Sequence, residues 1–170
     1  MSVLILTHGA CVAHDPGPHH PECPDRWRAV TRALEDEALS SLPRAEAPEA
    51  TREQILRVHP EAYLNAILDS APAQGDRVAL DADTILSHGS IAAALRSAGA
   101  AVAAVDAVCS GPISHAFCAT RPPGHHAEPA RPMGFCVFAN AAIAARHAQA
   151  AHGLTRVAVA DFDVHHGNGT

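Results

Sequence analysis

The stretch RVAVADFDVHHGNGT, residues 156–170, decides the fold of this chain. It begins with an apolar, valine-bearing run that enters a polar turn rich in glycine, which is typical of a buried parallel strand at its carboxyl end. Ligand sites in open α/β sheets lie at such ends. Because side chains alternate along a strand, Asp161, Asp163 and His165 should start on one side of the chain and converge where the strand gives way to a loop.

Two of these side chains are candidate metal ligands. The carboxylate of Asp163 and the imidazole of His165 are ordinary ligands of zinc. A catalytic zinc ion commonly takes three protein ligands and a water, so this pair leaves the site one ligand short within residues 1–170. The sequence therefore predicts part of a zinc site.

A second polar segment, RPPGHH at residues 121–126, contains paired histidines. In a Pro-Pro-Gly loop both rings can face one cleft. An imidazole that acts as a general base needs an acceptor for its other ring nitrogen, because that bond fixes the tautomer. Asp161 and Asn168 are candidate acceptors, and a charged partner on one ring and a neutral partner on the other would assign the two rings different roles. We predict that His125 approaches Asp161 and that His126 approaches Asn168, because the two segments are expected to follow adjacent strands.

Each of these motifs also has a structural explanation. An Asp-x-Asp pair after a strand is usually a solvated turn or a helix cap, and a His-His doublet is usually surface or a satisfied core pair. The two segments occur here in order, with the turn at residues 133–136 between them, and that combination favours the functional interpretation. Within the turn, Cys136 is interpreted as a small buried residue beside the site and not as a nucleophile. For His19 and His20, a loop surface and a role in shaping the mouth of the site are equally open.

With these motifs the chain resembles the zinc-dependent histone deacetylase and acetylpolyamine amidohydrolase superfamily, nearest to its class II and bacterial members. Asn168 favours class II, because class I members usually carry Asp at that position. The resemblance extends upstream to residues 14–26, 58–64 and 80–84. It implies the open, mostly parallel α/β sheet with flanking helices of the arginase and deacetylase group. Residues 1–170 would be the amino-terminal part of a single catalytic domain of that fold.

The resemblance also implies roles for single residues. Asp163 and His165 look like two zinc ligands, and the main-chain oxygens of Asp161, Asp163 and His165 match the structural potassium site of the family. The tandem catalytic pair and its orienting partners would be His125, His126, Asp161 and Asn168, with His126 as the general acid and base. Substrate contacts are implied as well. Gly134 and Phe135 resemble the wall of a narrow tunnel, and Asp83 resembles a carboxylate at its rim. Arg26 resembles a buried arginine near the acetate exit.

The activity implied is zinc-dependent removal of acetyl or other acyl groups from lysine side chains of proteins or from related amines. Two alternatives stay open: hydrolysis of acetylpolyamines or other small acyl amides, and a catalytically inactive fragment. Family members need a second aspartate ligand and a group that polarises the amide carbonyl, so this chain by itself is expected to be inactive. The partner implied is an acetylated lysine or an acetylpolyamine, and an oligomer is left open.

Composition agrees with a cytoplasmic enzyme. The net charge of −6 offers no basic face for nucleic acid, so nucleic acid is not expected as a partner. We expect no membrane association either, because the chain shows no signal-like start and no apolar stretch that is expected to be long enough to span a bilayer.

All twelve basic residues are arginine, which with the many alanines indicates a GC-rich bacterial source. The five cysteines lack a C-x-x-C pair and are expected to be reduced thiols.

Strands and helices are predicted to alternate, which indicates a parallel sheet. The predicted strands are residues 3–7, a buried strand at 113–120, and the run before Asp161. Helices are predicted at about 26–42 with Asp25 as N-cap, from Thr51, from Pro60 as far as the break at residues 74–76, at 87 to about 109, and at 138 to about 152 with Gly153 closing it.

Overall fold

The computed structural model describes residues 2–170, which form two sheets with helices around them. In chain order the strands are β1 Val3–Thr7, β2 Arg44–Glu46, β3 Arg77–Ala79, β4 Ile85–Ser87 and β5 His115–Ala119. The helices are α1 Pro24–Ala33, α2 Arg52–Leu56, α3 Glu61–Asp69, α4 Ser90–Ser110 and α5 Asn140–His152. Strands β2, β1 and β5 form a parallel sheet in that order, and β3 pairs with β4 as an antiparallel hairpin. The predicted α/β fold with a parallel sheet and flanking helices is confirmed.

Strand β1 is the centre of the parallel sheet. Its neighbouring residues Ile5 and Leu6 are both buried, and because side chains alternate, both faces of the sheet are covered. Thr7 lies opposite Glu46 of β2 and Ala119 of β5, so the three strands end together. The loops that follow them therefore leave the sheet at one edge, which is where the candidate site is built.

The largest apolar core lies between the helices and the hairpin. Its fully buried large side chains are Ile55, Leu64, Leu86, Phe138 and Ile143. The Tyr63 hydroxyl within this core donates to the main-chain oxygen of Val137 at 2.6 Å. Helix α4 comes very close to the loop after β2, since a Cβ on Gly99 would lie 2.1 Å from the oxygen of Pro48. Small residues on α4 thus permit dense packing.

Helix α4 is long and apolar enough to cross a membrane by length and composition, which contradicts the expectation that no such stretch exists. The helix packs against β1, β5 and α5. Its buried positions are mostly small residues, such as Ala93, Ala94, Ala98 and Ala100. A core helix meets the same criteria of length and composition, and the contacts of α4 are those of a core helix.

Several predicted elements are confirmed with adjusted bounds. Thr51 caps α2 through a reciprocal capping box with Gln54, α3 begins just after Pro60, and Gly153 ends α5 with a φ of 67°. The prediction for α1 was wrong at both ends, because Cys23 is its N-cap and it stops at Ala33 instead of Leu42. Acidic residues follow that end, and negative charge is unfavourable at a helix carboxyl terminus. The hairpin of β3 and β4 was not predicted.

Two predicted strands differ from the structure. Strand β5 is shorter than expected and only partly buried, with Phe117 48% exposed, because it lies at the edge of the sheet formed by residues 2–170. Residues 157–160 form no strand at all in the described part of the chain, and Val159 is 47% exposed. Because they do not pair with β5, the expectation that the two motif segments follow adjacent strands was wrong. An apolar alternation indicates a strand only where a neighbouring strand accepts its hydrogen bonds.

Candidate active site

The paired histidines lie in a loop after β5, residues 121–139, here called the catalytic loop. Arg121 anchors its start, since its side chain is 3% exposed and donates to both carboxylate oxygens of Glu22. It also donates to the main-chain oxygens of Cys11 and His14. Burial alone would raise the pKa of Glu22, but contacts with His14 and Arg121 lower it on balance. The ionised pair fixes the direction in which the loop leaves the sheet.

Both histidines find the partners predicted for them. His125 Nδ1 lies 2.9 Å from Asp161 Oδ2, and His126 Nδ1 lies 2.8 Å from Asn168 Oδ1. The two ring centroids are 4.0 Å apart. The hydrogen bond from His125 lowers the pKa of Asp161, and the Asp163 N–H adds to the effect, so Asp161 stays a carboxylate. The predicted pairing is confirmed, and each histidine has a different kind of acceptor.

The contacts of Asn168 define the tautomer of His126. Its amide nitrogen donates to Glu128 Oε1 at 2.8 Å, which directs the amide oxygen to the ring of His126. His126 therefore carries its proton on Nδ1, and Nε2 is the nitrogen with a free lone pair. His125 likewise donates from Nδ1, because Asp161 can only accept. Both rings are arranged to exchange a proton at Nε2.

The ligand segment, residues 154–170, docks onto the catalytic loop through close backbone contacts. The Gly169 N–H donates to the oxygen of His125 at 2.8 Å. A Cβ on Gly169 would lie 2.1 Å from the oxygen of Ala127, and one on Gly167 would lie 2.3 Å from Asp161 Oδ2. Glycine at these two positions is what allows the segment to approach the histidines.

Asp163 and His165 are neighbours with a shared contact. Asp163 Oδ1 lies 3.1 Å from His165 Nδ1 and accepts the His165 N–H at 2.8 Å. That backbone hydrogen bond lowers the pKa of Asp163. Two ligands bound to zinc at tetrahedral angles would lie about 3.3 Å apart, so the two atoms fit adjacent positions around one ion. Both side chains are accessible, with exposures of 48% for Asp163 and 73% for His165.

One cavity of about 400 Å³ joins the predicted residues. Eight of its lining residues were predicted from the sequence, namely His125, His126, Asp163, His165, Gly134, Phe135, Asp83 and Arg26. Its other lining residues include Glu22 and Pro123. The ring centroid of His165 is 6.0 Å from that of His126. The structure therefore brings the candidate metal ligands, the candidate proton-transfer groups and the candidate substrate contacts to one place.

The wall formed by Gly134 and Phe135 has an unusual backbone. Both residues have positive φ, 56° for Gly134 and 69° for Phe135. A Cβ on Gly134 would lie 2.3 Å from the ring of His126, so a glycine is required there by space as well as by conformation. The Phe135 N–H donates to the Thr84 hydroxyl, and the Phe135 ring makes an edge contact with the ring of His20, with ring centroids 5.0 Å apart. His20 also contacts the oxygen of Asp83, so it helps to shape the mouth.

The expectation of a buried arginine at position 26 was wrong. The Arg26 side chain is 59% exposed and lies 3.6 Å from Glu22, whose carboxylate is already engaged by the fork of Arg121. Arg121 is the buried arginine. Its motif was visible in the sequence, but its partner is 99 residues away, and no local pattern indicates such a pairing.

His59 is a second residue whose role the sequence did not reveal. It is 1% exposed, contacts the oxygen of Pro129 through Nδ1 at 2.9 Å, and accepts the Ala139 N–H on Nε2 at 2.9 Å. Burial lowers its pKa, which keeps it neutral and able to both donate and accept. The ring of His59 also stacks on the ring of Tyr63, with the two centroids 5.0 Å apart. His59 thus ties the far end of the catalytic loop to the helical core.

Cys136 behaves as a structural residue, as predicted. It is fully buried, and burial raises its pKa to about 12. Its sulfur accepts the His126 N–H at 3.4 Å. A thiol held neutral in this way is a poor nucleophile. The potassium site predicted from the main-chain oxygens of Asp161, Asp163 and His165 stays a prediction.

Comparisons with known proteins agree with the geometry of this site. The family model described as "Histone deacetylase domain" matches residues 20–170. A Pseudomonas aeruginosa protein named "Histone deacetylase-like amidohydrolase" is 44% identical over 168 residues, covering 98% of this chain and 44% of that protein. The human "Polyamine deacetylase HDAC10" is 39% identical over 158 residues, covering 88% of this chain and 24% of that protein.

A solved structure gives the same result for the fold. The "Crystal Structure of HDA15 HD domain" superposes with a TM-score of 0.92 at 32% identity, and the match covers 99% of this chain and 48% of that one. The chain thus spans about half the length of that structure and less than half of the two relatives named above.

Proposed function

Because the chain belongs to the histone deacetylase family, we propose that its protein is a zinc-dependent amidohydrolase that removes acetyl groups from lysine side chains of proteins or from related amines. The observation that carries the proposal is the paired arrangement around one cavity. His125 is held by Asp161 and His126 by Asn168, and both lie beside Asp163 and His165.

Asp163 and His165 would hold the zinc ion. Their ligand atoms lie at a separation suitable for adjacent positions on one ion, and both side chains line the cavity. The ion would supply Lewis-acid polarisation of the amide carbonyl and would acidify a water molecule.

The histidines would move the protons. His126, with its Nδ1 proton held by Asn168, can accept a proton from water at Nε2 and later give it to the leaving amine. His125 is oriented by the Asp161 carboxylate and would give electrostatic support to negative charge that develops on the substrate. The difference in partners therefore supports the assignment of His126 as the general acid and base.

The remaining cavity residues would select the substrate. Gly134 and Phe135 would form the wall of a narrow tunnel for an acyl-lysine-like arm, and the Asp83 carboxylate would hold backbone amides at the rim.

A second substrate class is favoured by the charge of the cavity. Of the three carboxylates in its lining, Glu22 is paired with the buried Arg121 and Asp163 is the candidate metal ligand, so Asp83 is the carboxylate left to bind a cation. An acetylpolyamine keeps cationic amines that Asp83 can attract, whereas an acetylated lysine side chain carries no charge. One relative is named a polyamine deacetylase, which agrees with this alternative.

Turnover of two matched substrates by the purified complete enzyme tests the proposal. We expect hydrolysis of an acetyl-lysine peptide that is lost on chelation and restored by Zn²⁺. Faster turnover of an acetylated polyamine, with a preference that Asp83→Asn reduces, would establish the second class. Absence of zinc-dependent turnover with both substrates would contradict the proposed function.

A further inference from the structure

A second group of potential metal ligands lies on the helices α4 and α5. Asp106 of α4 faces His147 and His152 of α5, and these three residues are called here the α4–α5 triad. His147 Nε2 lies 2.6 Å and His152 Nε2 2.7 Å from the same oxygen, Asp106 Oδ1. One ligand atom from each of the three residues falls within 4.8 Å of the other two.

We propose that the α4–α5 triad is a binding site for a divalent ion of the zinc class, separate from the candidate active site. None of its residues lines the cavity of the paired histidines. The site is assigned from its own ligands, so it does not depend on the proposed amidohydrolase function.

The ligand set suits this class of ion. Two imidazoles and one carboxylate are the ligands of open zinc sites, and three protein ligands leave a fourth position for water. The histidine side chains are 7% and 17% exposed, whereas Asp106 is 50% exposed and gives access from solvent. Ligands around zinc lie about 3.3 Å apart, so entry of the ion requires the two histidines to move back from Asp106 by roughly half an ångström.

The position in the fold also favours a cation. Asp106 lies in the last turns of α4, which ends at Ser110, and His152 is the last residue of α5. The carboxyl ends of helices carry partial negative charge that stabilises cations.

Arg57 is the residue that opposes metal binding. Its Nη1 lies 2.6 Å from His147 Nδ1, and because arginine only donates, His147 keeps its proton on Nε2, where the metal would bind. His152 Nε2 also donates to Asp106, so binding requires both histidines to move their Nε2 protons to Nδ1 and Arg57 to withdraw. Glu53, which already accepts from Arg57 Nη2 at 2.9 Å, provides a place for the guanidinium. The arrangement makes Arg57 a competitor of the ion.

Metal stoichiometry of the purified protein tests the site. Zn²⁺ is titrated against a chromophoric chelator, and Asp106→Asn is compared with Asp69→Asn, which removes the same charge from an exposed position on α3. We expect Asp106→Asn to bind one equivalent fewer than wild type, and Asp69→Asn to bind as wild type does. His152→Gln, at the end of α5, should lose the same equivalent and should keep the circular dichroism spectrum of the wild type.

Arg57→Gln sharpens the test. A glutamine oxygen can accept the Nδ1 proton of metal-bound His147, so affinity for Zn²⁺ should rise by roughly ten-fold, the size of effect that an outer hydrogen-bond partner has on a metal site. Equal stoichiometry in wild type, Asp106→Asn and His152→Gln would overturn the proposal. So would an Arg57→Gln protein that binds Zn²⁺ more weakly than wild type.

Discussion

The catalytic loop and the ligand segment each contribute half of the candidate site, but they are held in different ways. In the catalytic loop, Arg121 is 3% exposed and residues 136–139 are 0–1% exposed. In the ligand segment, Phe162 is fully exposed and Val164 is 93% exposed, and docking depends on a few hydrogen bonds to the loop. Within residues 2–170, the loop that carries the candidate proton-transfer groups is thus anchored by buried residues, whereas the candidate metal ligands are placed by surface contacts.

The largest effect should come from the buried anchor of the catalytic loop. Arg121→Met leaves the Glu22 carboxylate buried without its cation, which costs about 3–5 kcal/mol in the free energy of unfolding. Urea denaturation measures this change. Arg28→Met, which breaks an exposed ion pair with Asp25, is the matched control and should cost at most about 1 kcal/mol. Similar costs for both variants would show that burial does not hold the loop.

Replacing His125 and replacing His126 should lower turnover by different factors, although the two residues lie in one loop. In the complete enzyme His126→Ala should lower kcat by about 10²–10⁴-fold, because the group that transfers the proton is removed. His125→Ala should lower kcat less, because its neighbour then loses only electrostatic support. Steady-state kinetics with an acetyl-lysine peptide compares the two variants. Equal, small losses would contradict the assignment of roles.

Acid should weaken the far end of the catalytic loop through His59. Burial lowers the pKa of His59 in the folded state, so the unfolded chain binds more protons. The stabilisation is therefore complete above the unfolded value of about 6.5 and decreases as the pH falls below it. Urea midpoints at pH 7.5 and 5.5 should fall more in wild type than in His59→Gln, which cannot titrate. The Glu22 carboxylate contributes at lower pH. Because its pKa is lowered in the folded state, its stabilisation decreases only as the pH falls below about 4.5. A urea midpoint that rises from pH 7.5 to pH 5.5 in wild type alone would refute the role of His59.

The smallest effect on stability should come from the ligand segment. A methyl group on Gly169 would meet the oxygen of Ala127, so Gly169→Ala should detach the segment from the loop. Because the segment buries little apolar surface, the free energy of unfolding should change by less than about 1 kcal/mol. Hydrogen exchange at the amide of residue 169 should nevertheless become much faster. A loss of stability comparable to that of Arg121→Met would show that the segment is part of the core.

The difference between motif residues and buried anchors also decides what could be predicted from the sequence. The pairing of His125 with Asp161 was predicted from the two motifs and is confirmed, although the expectation that both motifs follow adjacent strands was wrong. The pairs of Arg121 with Glu22 and of His59 with Ala139 could not be predicted, since they join residues 99 and 80 positions apart without any local pattern. The valine alternation of residues 157–160 indicated a strand, but pattern alone does not supply a neighbouring strand.

Gly134 has a consequence for attempts to redesign this protein. The residue forms part of the cavity wall, and its missing side chain is also what leaves space for the ring of His126. The width of the cavity and the position of the His126 ring therefore change together when residue 134 is replaced. Under the proposed function, redesign of acyl-chain selectivity has to proceed through residues such as Phe135 or Asp83, which line the same cavity, because any larger residue at 134 would also displace the His126 ring.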